Sequence, residues 1–251
     1  MEKNSILYPQ LSPQYELLDS GDNQKLEKFG NNIIIRPDSN CVWQKDESER
    51  NWKKANAKCM KENGKTIWKF EKNFSKPWIF KYDMYQDKGS FANELKFLLR
   101  SSISKNVGIF PEQACNWSWI IQAIKNSKRN PKVLNLFGYT GAATLCASAA
   151  GAEVCHVDSS QAAINWAKEN QKLNAMEKSP IRWIVDDCKK FITREIKRKQ
   201  TYDAIIMDPP AFGRSSKGNV FEFEKNIVEL LSLCKQVLPS KPLFFIFNGY
   251  S

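Results

Sequence analysis

Glycines and carboxylates recur at points of the chain where a short apolar run ends. The loop 135–141, which reads NLFGYTG, follows such a run, and Asp158 comes twenty residues after Gly138. Gly138 and Gly141 would let the backbone turn tightly and approach a ligand, and the helix predicted to follow would offer its N-terminal amides. Asp158 would then be placed to accept both hydroxyls of a ribose. This spacing predicts a nucleoside-like ligand.

The glycine pattern of this loop argues against a dinucleotide. A pyrophosphate is admitted by the spacing GxGxxG, whereas NLFGYTG has no close glycine pair and carries a bulky Phe and Tyr. The loop therefore suits a ligand without a pyrophosphate. A plain helix cap is the alternative for Asp158, but an acid at this spacing after a glycine turn favours a functional role.

Two more acidic segments follow later apolar runs. In Asp186-Asp187-Cys188, a carboxylate could bind the exocyclic amino group of an adenine, or either aspartate could only cap the next helix. In Asp208-Pro209-Pro210, the prolines remove two amide donors and fix the backbone, which exposes the carboxylate that precedes them. We therefore expect Asp208 to act on a ligand, with a simple turn residue as the alternative.

The elements that must position these residues alternate regularly from about residue 130. Strands are predicted at 132–136, 153–157, 181–185, 204–207 and 243–247, and helices at 142–150, 161–174, 189–199 and 221–238. Ser159 or Ser160 can cap the second of these helices. Because the strands are apolar without alternation, they predict an α/β fold with a doubly wound, mostly parallel sheet covered on both faces. Ligands of such sheets bind at the carboxyl ends of the strands.

The first 105 residues have a different pattern of apolar and charged residues. Segments 66–71 and 78–82 alternate bulky apolar with charged residues, which is typical of half-buried strands. We predict a small β-rich domain at 1–105, which would bind the substrate, and a ligand-binding domain at 106–251. The tryptophans of the first domain are either its core, the commoner role, or stacking platforms for unpaired bases. They include Trp43, Trp52, Trp68 and Trp78.

The amino-acid composition limits the partners and the kinds of site that the protein can have. With 38 Lys and Arg against 27 Asp and Glu, the net charge of +11 favours a polyanionic partner such as RNA or DNA. The single histidine, His156, excludes a His pair and is expected to pack in a strand, and no metal site is predicted. Seven cysteines without CxxC spacing indicate reduced thiols and a cytoplasmic protein. No apolar run is long enough to span a membrane, and no signal peptide is recognised.

The four strand ends together resemble the class I S-adenosylmethionine-dependent methyltransferases, which have a Rossmann-like fold. NLFGYTG, HVDSS, DDCKKF and DPPAFGR resemble bacterial enzymes grouped with the 23S ribosomal RNA methyltransferases that modify cytosine C5 or guanine N7. YELLDSGDNQKLEKFG and GIFPEQACNW resemble a subset of that group, so the similarity runs from about Tyr15 to the end. The resemblance implies S-adenosylmethionine as cofactor and RNA, ribosomal RNA first, as partner.

The resemblance also implies roles for individual residues. Phe137, Tyr139 and Gly141 would lie around the methionine part of the cofactor. Asp158 would take the ribose hydroxyls, Asp187 the adenine amino group, and the Cys188 amide the adenine ring. Asp208 and Pro209 would border the reacting methyl group. The segment 110–113 resembles a cofactor-covering segment. The cofactor-binding residues implied in this way are Asn135, Phe137, Gly138, Tyr139, Thr140, Gly141, Asp158, Ser159, Asp187, Cys188, Asp208 and Gln113.

The acceptor atom is predicted from a missing cysteine. Enzymes that methylate cytosine C5 add a cysteine thiolate to the base, but Ala211-Phe212 and 248–251 stand where related cytosine enzymes carry one. Cys234 falls on the apolar face of a predicted helix and is expected in the core. We therefore favour a nitrogen acceptor, hydrogen-bonded by Asp208 and stacked on Phe212. The predicted catalytic residues are Asp208, Pro209, Pro210 and Phe212.

Three other interpretations stay open from the sequence. Class I folds also methylate proteins and small molecules, and a noncatalytic RNA-binding relic of the fold is conceivable. An NAD-dependent enzyme is disfavoured by the glycine pattern.

The number of predicted strands is smaller than the resemblance implies. By resemblance the sheet should have seven strands, whereas five are predicted, so 243–247 would present a hydrophobic edge. We expect a further segment or another chain, as in a homo-oligomer, to cover this edge.

Overall fold

The computed structural model describes residues 8–9, 11, 14–46, 49–84, 94–102, 105–214 and 220–249 of the chain. The chain divides into two compact units, Met1–Ala114 and Cys115–Ser251. The boundary predicted after residue 105 lies close to this division, and its position stays a prediction. Within the described ranges, no helix is both long and apolar enough to cross a membrane.

The N-terminal unit is built on β-sheets, as the alternating segments predicted. Its strands are β1 (Tyr15–Gly21), β2 (Gln24–Phe29), β3 (Asn32–Pro37), β4 (Ala57–Glu62), β5 (Lys65–Phe70), β6 (Ile79–Asp83) and β7 (Glu94–Leu98), with a short helix α1 (Glu49–Trp52) before β4. Strands β1 to β5 form one sheet in chain order, in which only β3 and β4 pair in parallel, and β6 pairs with β7. Trp52 and Trp78 are buried in this unit, whereas Trp43 is half-exposed.

The C-terminal unit alternates strands and helices in the predicted order. Its elements are α2 (Ala114–Asn126), β8 (Lys132–Leu136), α3 (Ala142–Ala149), β9 (Glu153–Asp158), α4 (Gln161–Leu173), β10 (Ile181–Val185), α5 (Cys188–Lys197), β11 (Ala204–Met207), β12 (Phe212–Arg214), β13 (Val220–Glu222), α6 (Phe223–Gln236) and β14 (Phe244–Phe247). Five parallel strands form a sheet in the order β10-β9-β8-β11-β14. This confirms the predicted doubly wound α/β fold.

Helices cover both faces of this sheet because its strands are apolar on both sides. Leu134 and Met207 pack with α5 and α6, whereas Val133 and Ile206, their neighbours on the same strands, pack with α2 and α3. Cys234 of α6 is fully buried in the first of these cores, as predicted. From β8 the chain winds one way to β10, and from β11 it winds the other way to β14. The resulting switch point lies at the carboxyl ends of β8 and β11, where such folds bind ligands.

Two details of the second half differ from the predictions. A helix was expected from residue 221, but the chain first forms the hairpin β12–β13, and α6 begins at Phe223. The reason is that Val220–Glu222 pairs with Phe212–Arg214, which sequence periodicity could not reveal. Strand β14 lies at the edge of the described sheet with Phe245 and Phe247 partly exposed. That another segment or chain covers this edge stays a prediction.

Candidate active site

The loop after β8 has an unusual backbone. Phe137 and Tyr139 both lie in the left-handed region, with φ of 56° and 50°, and Gly141 follows at 88°. An L-residue adopts this conformation at a cost of about 1–2 kcal/mol, and it persists only where the surrounding structure holds it. Gly141 is the N-cap of α3, so the loop turns directly into the amide-rich end of that helix. The glycine pattern located this turn, but it gave no sign that the two aromatic residues carry the strain.

Gly138 is required for a reason that the sequence did not indicate. A Cβ at this position would lie 2.3 Å from the ring of His156. The backbone of Gly138 does not have a positive φ, so the requirement for glycine is one of space. The glycine therefore makes room for the histidine ring. Its predicted part in admitting the cofactor stays a prediction.

A buried polar network supports the loop from below. The side-chain amide of Asn135 donates to Thr144 Oγ1 over 2.8 Å, and this oxygen also lies 2.8 Å from His156 Nδ1. The ring of His156 is fully buried 4.7 Å from that of Trp183. Burial lowers the pKa of His156 to about 3, so the ring is neutral at physiological pH. Asn135 thus joins α3 to β8, and His156 joins α3 to β9, beneath the loop.

Asp158 ends β9 and is held by two backbone amides. Its Oδ2 accepts from the Tyr139 N–H over 2.9 Å, and its Oδ1 accepts from the Ser160 N–H over 2.8 Å. Burial raises the pKa of Asp158 above its usual value, and the two hydrogen bonds offset part of this effect. Each oxygen keeps another lone pair, which is the capacity that a pair of ribose hydroxyls needs. Of the two candidate caps, Ser160 caps α4 by accepting from Ala163 N–H.

The acids that follow β10 have separate surroundings. Asp187 caps α5 by accepting from Lys190 N–H over 3.0 Å, which occupies only one of its oxygens. Asp186 is ion-paired with Arg194. The cap alternative is therefore real for Asp187, and it leaves an oxygen for a ligand. Cys188 is buried, which raises the pKa of its thiol well above the usual value, partly offset by a hydrogen bond from the backbone of Phe137.

One cavity of about 540 Å³ brings these strand ends together. Its volume is in the range of small-molecule sites. Five predicted site residues line it, from four different loops: Phe137, Ser159, Asp187, Cys188 and Pro210. Helices α5 and α6 and the hairpin complete the wall with residues that include Lys190, Arg194, Gly213, Phe221 and Leu230. The cavity thus has an apolar side and a polar end at Asp187.

The acceptor side carries two aromatic residues on opposite faces of a hairpin. Asp208 follows β11 half-buried, and Pro209 behind it is buried. In the hairpin, Phe212 pairs with Glu222 and Gly213 pairs with Phe221, so side-chain alternation puts Phe212 and Phe221 on opposite faces. Phe221 faces the cavity, while Phe212 is 59% exposed. Stacking of a base on Phe212 stays a prediction, and Phe221 is the aromatic residue that sequence reasoning missed.

The remaining predicted residues have these positions. Thr140 is buried and its carbonyl accepts from the Asn170 side chain over 3.0 Å. Gln113 ends the 3-10 turn Pro111–Gln113 of the N-terminal unit, and its cofactor contact stays a prediction. Over the ranges that the structure describes, no group of three or more His, Cys, Asp and Glu side chains is placed to hold a metal ion.

Comparison with curated proteins finds relatives that carry a similar segment. The ribosomal RNA large subunit methyltransferase K/L of Shewanella baltica is 36% identical over 128 residues, which are 50% of this chain and 18% of that protein. The protein of the same name from Shewanella loihica is 38% identical over 119 residues, 46% of this chain and 16% of the relative. The chain therefore spans less than a fifth of the length of these relatives.

Solved structures extend the similarity to both units. A S-adenosylmethionine-dependent methyltransferase from Agrobacterium tumefaciens is 41% identical with a TM-score of 0.80, covering 91% of this chain and 70% of that one. A putative methyltransferase, SMU.776, in complex with SAH has a TM-score of 0.68 at 18% identity, covering 92% of this chain and 60% of the other. The second likeness shows a shared fold alone.

The family pattern described as S-adenosylmethionine-dependent methyltransferase matches residues 78–247, which contain every element from β6 to β14. That match covers more than half of the chain, and it includes the loop after β8, Asp158, Asp187 and Asp208. The chain belongs to the S-adenosylmethionine-dependent methyltransferase family.

Proposed function

We propose that this protein transfers a methyl group from S-adenosylmethionine to a base nitrogen of RNA, ribosomal RNA in the first place. One observation carries the proposal: four loops at the switch point of the sheet meet around a single cavity. They bring Phe137 of the strained turn, Ser159 next to Asp158, Asp187, and Pro210 of the Asp208-Pro209-Pro210 segment to the lining of this cavity. Each of these features suits a different part of the cofactor or the acceptor.

The residues present fit an adenosyl cofactor. The lone pairs left on Asp158 suit two ribose hydroxyls, and the second oxygen of Asp187 suits an amino group. The backbone N–H of Cys188 lies in the first turn of α5, where helix amides lack partners inside the helix. Phe137 and Leu230 give the cavity apolar walls that suit a ring system. When bound, S-adenosylmethionine supplies a methyl group on a sulfonium whose thioether leaves without an acid.

The protein's own part in the reaction is then mainly positioning. Asp208 would accept a hydrogen bond from the amino group of an acceptor base and so orient the attacking nitrogen toward the cavity. Pro209 and Pro210 fix the backbone behind it. Well-oriented groups reach effective molarities of ~10^5 M or more, so this geometry can account for much of the acceleration. The apolar walls keep water away from a reaction in which the sulfonium of the cofactor passes its positive charge, with the methyl group, to the acceptor.

A nitrogen acceptor is favoured over cytosine C5 by the state of the thiols. Cys188 and Cys234, in the two helices beside the cavity, are both buried. Burial raises the pKa of Cys234 to about 12 and also raises that of Cys188, so neither forms the thiolate that C5 chemistry requires.

RNA is favoured as substrate by two facts. The chain carries a net charge of +11, which suits a polyanion, and relatives similar over half of it are named ribosomal RNA methyltransferases. We place the protein in the reducing cytoplasm because all seven cysteines are free and six of them are buried. A protein or small-molecule acceptor would share the fold and the cofactor site, so the substrate requires its own experiment.

Titration calorimetry tests the cofactor half of the proposal. The protein is titrated in parallel with S-adenosylmethionine, its demethylated product and NAD. We expect the first two to bind and NAD to give no heat, because the loop after β8 lacks the glycine spacing for a pyrophosphate. Binding of NAD alone would refute the proposal.

Mass spectrometry of nucleosides tests the substrate half. Ribosomal RNA from cells that lack the gene is compared with RNA from the same cells complemented by wild-type protein or by Asp208→Ala. We expect one methylated nucleoside to disappear and to return only with the wild type. If every modification remains in the deletion strain while the purified protein binds S-adenosylmethionine, the acceptor is not ribosomal RNA.

A further inference from the structure

The strained conformation of Phe137 must be held in place by its surroundings, and two contacts from other segments do so. The backbone of Phe137 donates a hydrogen bond to the thiol of Cys188. The ring of Phe137 lies 5.1 Å from that of Phe221 at an interplanar angle of 59°. Cys188 is the first residue of α5, whereas Phe221 belongs to the hairpin that follows Asp208. The second contact therefore joins the cofactor loop to the acceptor segment.

Hydrogen bonds fix the backbone next to Phe221. The N–H of Phe223 donates to the Ala211 carbonyl over 3.0 Å, and the N–H of Glu222 donates to Asn226 Oδ1 over 2.8 Å. These bonds tie β13 to the chain after the prolines and to the start of α6. The aromatic ring is thus presented from a fixed strand.

Gly213, on the opposite strand of the hairpin, allows the close packing around the ring of Phe221. Gly213 is the cross-strand partner of Phe221. A Cβ on Gly213 would lie 3.2 Å from Pro210 Cγ and 3.9 Å from Phe221 Cβ. The glycine therefore lets the hairpin lie close to Pro210 while Phe221 keeps its place beside Phe137. Pro210, Gly213, Phe221 and Phe137 form a continuous strip of the cavity wall.

We propose that Phe221 is a positioning residue of the methyltransferase: it holds Phe137, and with it the cofactor loop, in the left-handed conformation that binds the cofactor. This inference rests on the proposed function, because it assumes that the loop binds S-adenosylmethionine. It also links the two halves of the site, since Phe221 pairs with Gly213 in the strand that follows the Asp208-Pro209-Pro210 segment. Removing the ring lets the loop relax, and binding must then restore the strained conformation.

The first test measures cofactor affinity in ring variants. The left-handed conformation costs an L-residue enough to change an equilibrium constant about tenfold. We therefore expect Phe221→Ala to weaken binding of the demethylated cofactor about tenfold in calorimetry, and Phe221→Tyr to bind like the wild type. Phe221→Leu, which keeps an apolar side chain without a ring, should fall between them. Val228→Ala, at a side chain of α6 that is 74% exposed, should leave cofactor affinity unchanged.

A double-mutant cycle separates positioning from simple packing. Glycine adopts the left-handed region without strain, so Phe137→Gly removes both the strain and the ring contact. In that background, Phe221→Ala should have no further effect on cofactor affinity. A purely structural role of Phe221 would instead give the same loss in both backgrounds, or a lower melting temperature without a loss of affinity. Either result would overturn the inference.

Amide hydrogen exchange gives a readout without any cofactor. In the wild type, the N–H groups of Tyr139 and Gly141 donate to Asp158 and to the Gly138 carbonyl. We expect Phe221→Ala to speed exchange at 137–141 and to leave the amides of β9 unchanged. Wild-type exchange with wild-type affinity in this variant would refute the inference alone. Failure of the wild-type protein to bind the cofactor would refute the proposed function itself.

Discussion

Carboxylates at the two ends of the parallel sheet are held in different ways. At the amino ends of the strands, Glu195 is 1% exposed and accepts from the Tyr202 hydroxyl over 2.6 Å. It also pairs with Arg198 at 3.0 Å and Arg182 at 3.5 Å. At the carboxyl ends, Asp158 is held by two neutral backbone amides, and its pKa is raised by burial.

The difference supports the proposed assignment of Asp158 to a ligand. Two cations and a hydroxyl occupy Glu195, so its charge is compensated inside the protein and its role is to join α5 to β10 and β11. Asp158 keeps lone pairs and lacks the charge compensation that Glu195 has. A carboxylate in that state gains most from hydroxyl donors that arrive with a ligand. The hydrogen-bond and ion-pair partners of each carboxylate, more than its burial, distinguish the end of the sheet with compensated charges from the end that we propose binds the ligand.

The two aspartates that flank β11 give the largest contrast. We expect Asp208→Ala to lower the methyl-transfer rate about 10^3-fold, because groups that act directly on the reacting atoms contribute roughly 10^2–10^4-fold. Cofactor affinity should change less than about threefold, since Asp208 is assigned to the acceptor. Single-turnover kinetics and calorimetry measure the two quantities.

Asp203, at the other end of the same strand, is the matched control. It accepts from the Lys132 N–H over 2.8 Å and pairs with Arg129 at 3.1 Å. Asp203→Ala should therefore lower stability and leave the rate of the folded enzyme unchanged. Equal losses of rate in the two variants would break the distinction between the ends of the sheet.

Glu195 should give the next largest effect, on stability only. Glu195→Ala leaves the buried Tyr202 hydroxyl without its acceptor and both arginines without their partner, so we expect a loss of about 3 kcal/mol. For a chain of this size that corresponds to a melting temperature roughly 6–12 °C lower. Thermal unfolding measures the change, and calorimetry should give wild-type cofactor affinity. A weaker cofactor affinity would show that the two ends are coupled.

The sequence was sufficient for the parts of the fold that depend on local pattern. Unalternated apolar runs predicted all five strands of the parallel sheet, and the acids after them marked its functional end. The hairpin β12–β13 was not predicted because its strands are three residues long and depend on pairing with each other. For the same reason, the sequence pointed to Phe212 and gave no sign of a role for Phe221. Which aromatic ring faces the cavity depends on cross-strand register, which a single sequence does not display.

The loop after β8 shows a second limit of sequence reasoning. Its glycines were recognised as turn residues, yet Gly138 is needed to accommodate His156, which is eighteen residues away in the chain. Contacts of this kind arise only when two strands are placed side by side. Phe137, in its left-handed conformation, likewise contacts Cys188 at the start of α5 and Phe221 in β13.

Asp158 should give an intermediate effect, on cofactor affinity. Asp158→Asn keeps the shape of the side chain but removes the charge and one acceptor, so we expect about 2 kcal/mol weaker binding, or roughly 30-fold. The melting temperature should change little, because the remaining oxygen still accepts from one of the two amides. Calorimetry and thermal unfolding make the comparison. An unchanged affinity would contradict the assignment to the ribose.

The pH dependence of binding checks the same residue. Ribose hydroxyls need the ionised carboxylate, and the folded pKa of Asp158 is raised above its usual value. Cofactor affinity should therefore fall on acidification at a higher pH than an ordinary aspartate would cause. In Asp158→Asn this fall should disappear.

Titration of His156 should give the smallest effect near neutral pH, a change in the free energy of unfolding. It tests whether a buried polar group at this end of the sheet can have a purely structural role. Its pKa is about 3 in the folded protein against a usual 6.5, so below 6.5 the unfolded chain binds a proton that the folded protein does not. The stability contributed by the neutral ring is complete above pH 6.5 and is lost progressively as the pH falls toward 3. Between pH 8 and pH 5.5 the loss should be about 1.4 kcal/mol.

Denaturant unfolding at these two pH values measures this loss, with His156→Gln as the control that lacks the titrating ring. We expect the variant to be less stable at pH 8 and to lose about 1.4 kcal/mol less between the two pH values than the wild type. The methyl-transfer rate of the wild type should show no ionisation near pH 6.5, because the ring stays neutral beneath the loop. A rate that followed such an ionisation and lost it in His156→Gln would place the histidine among the functional groups. Polar groups at this end of the sheet would then serve the ligand even when their hydrogen bonds are internal.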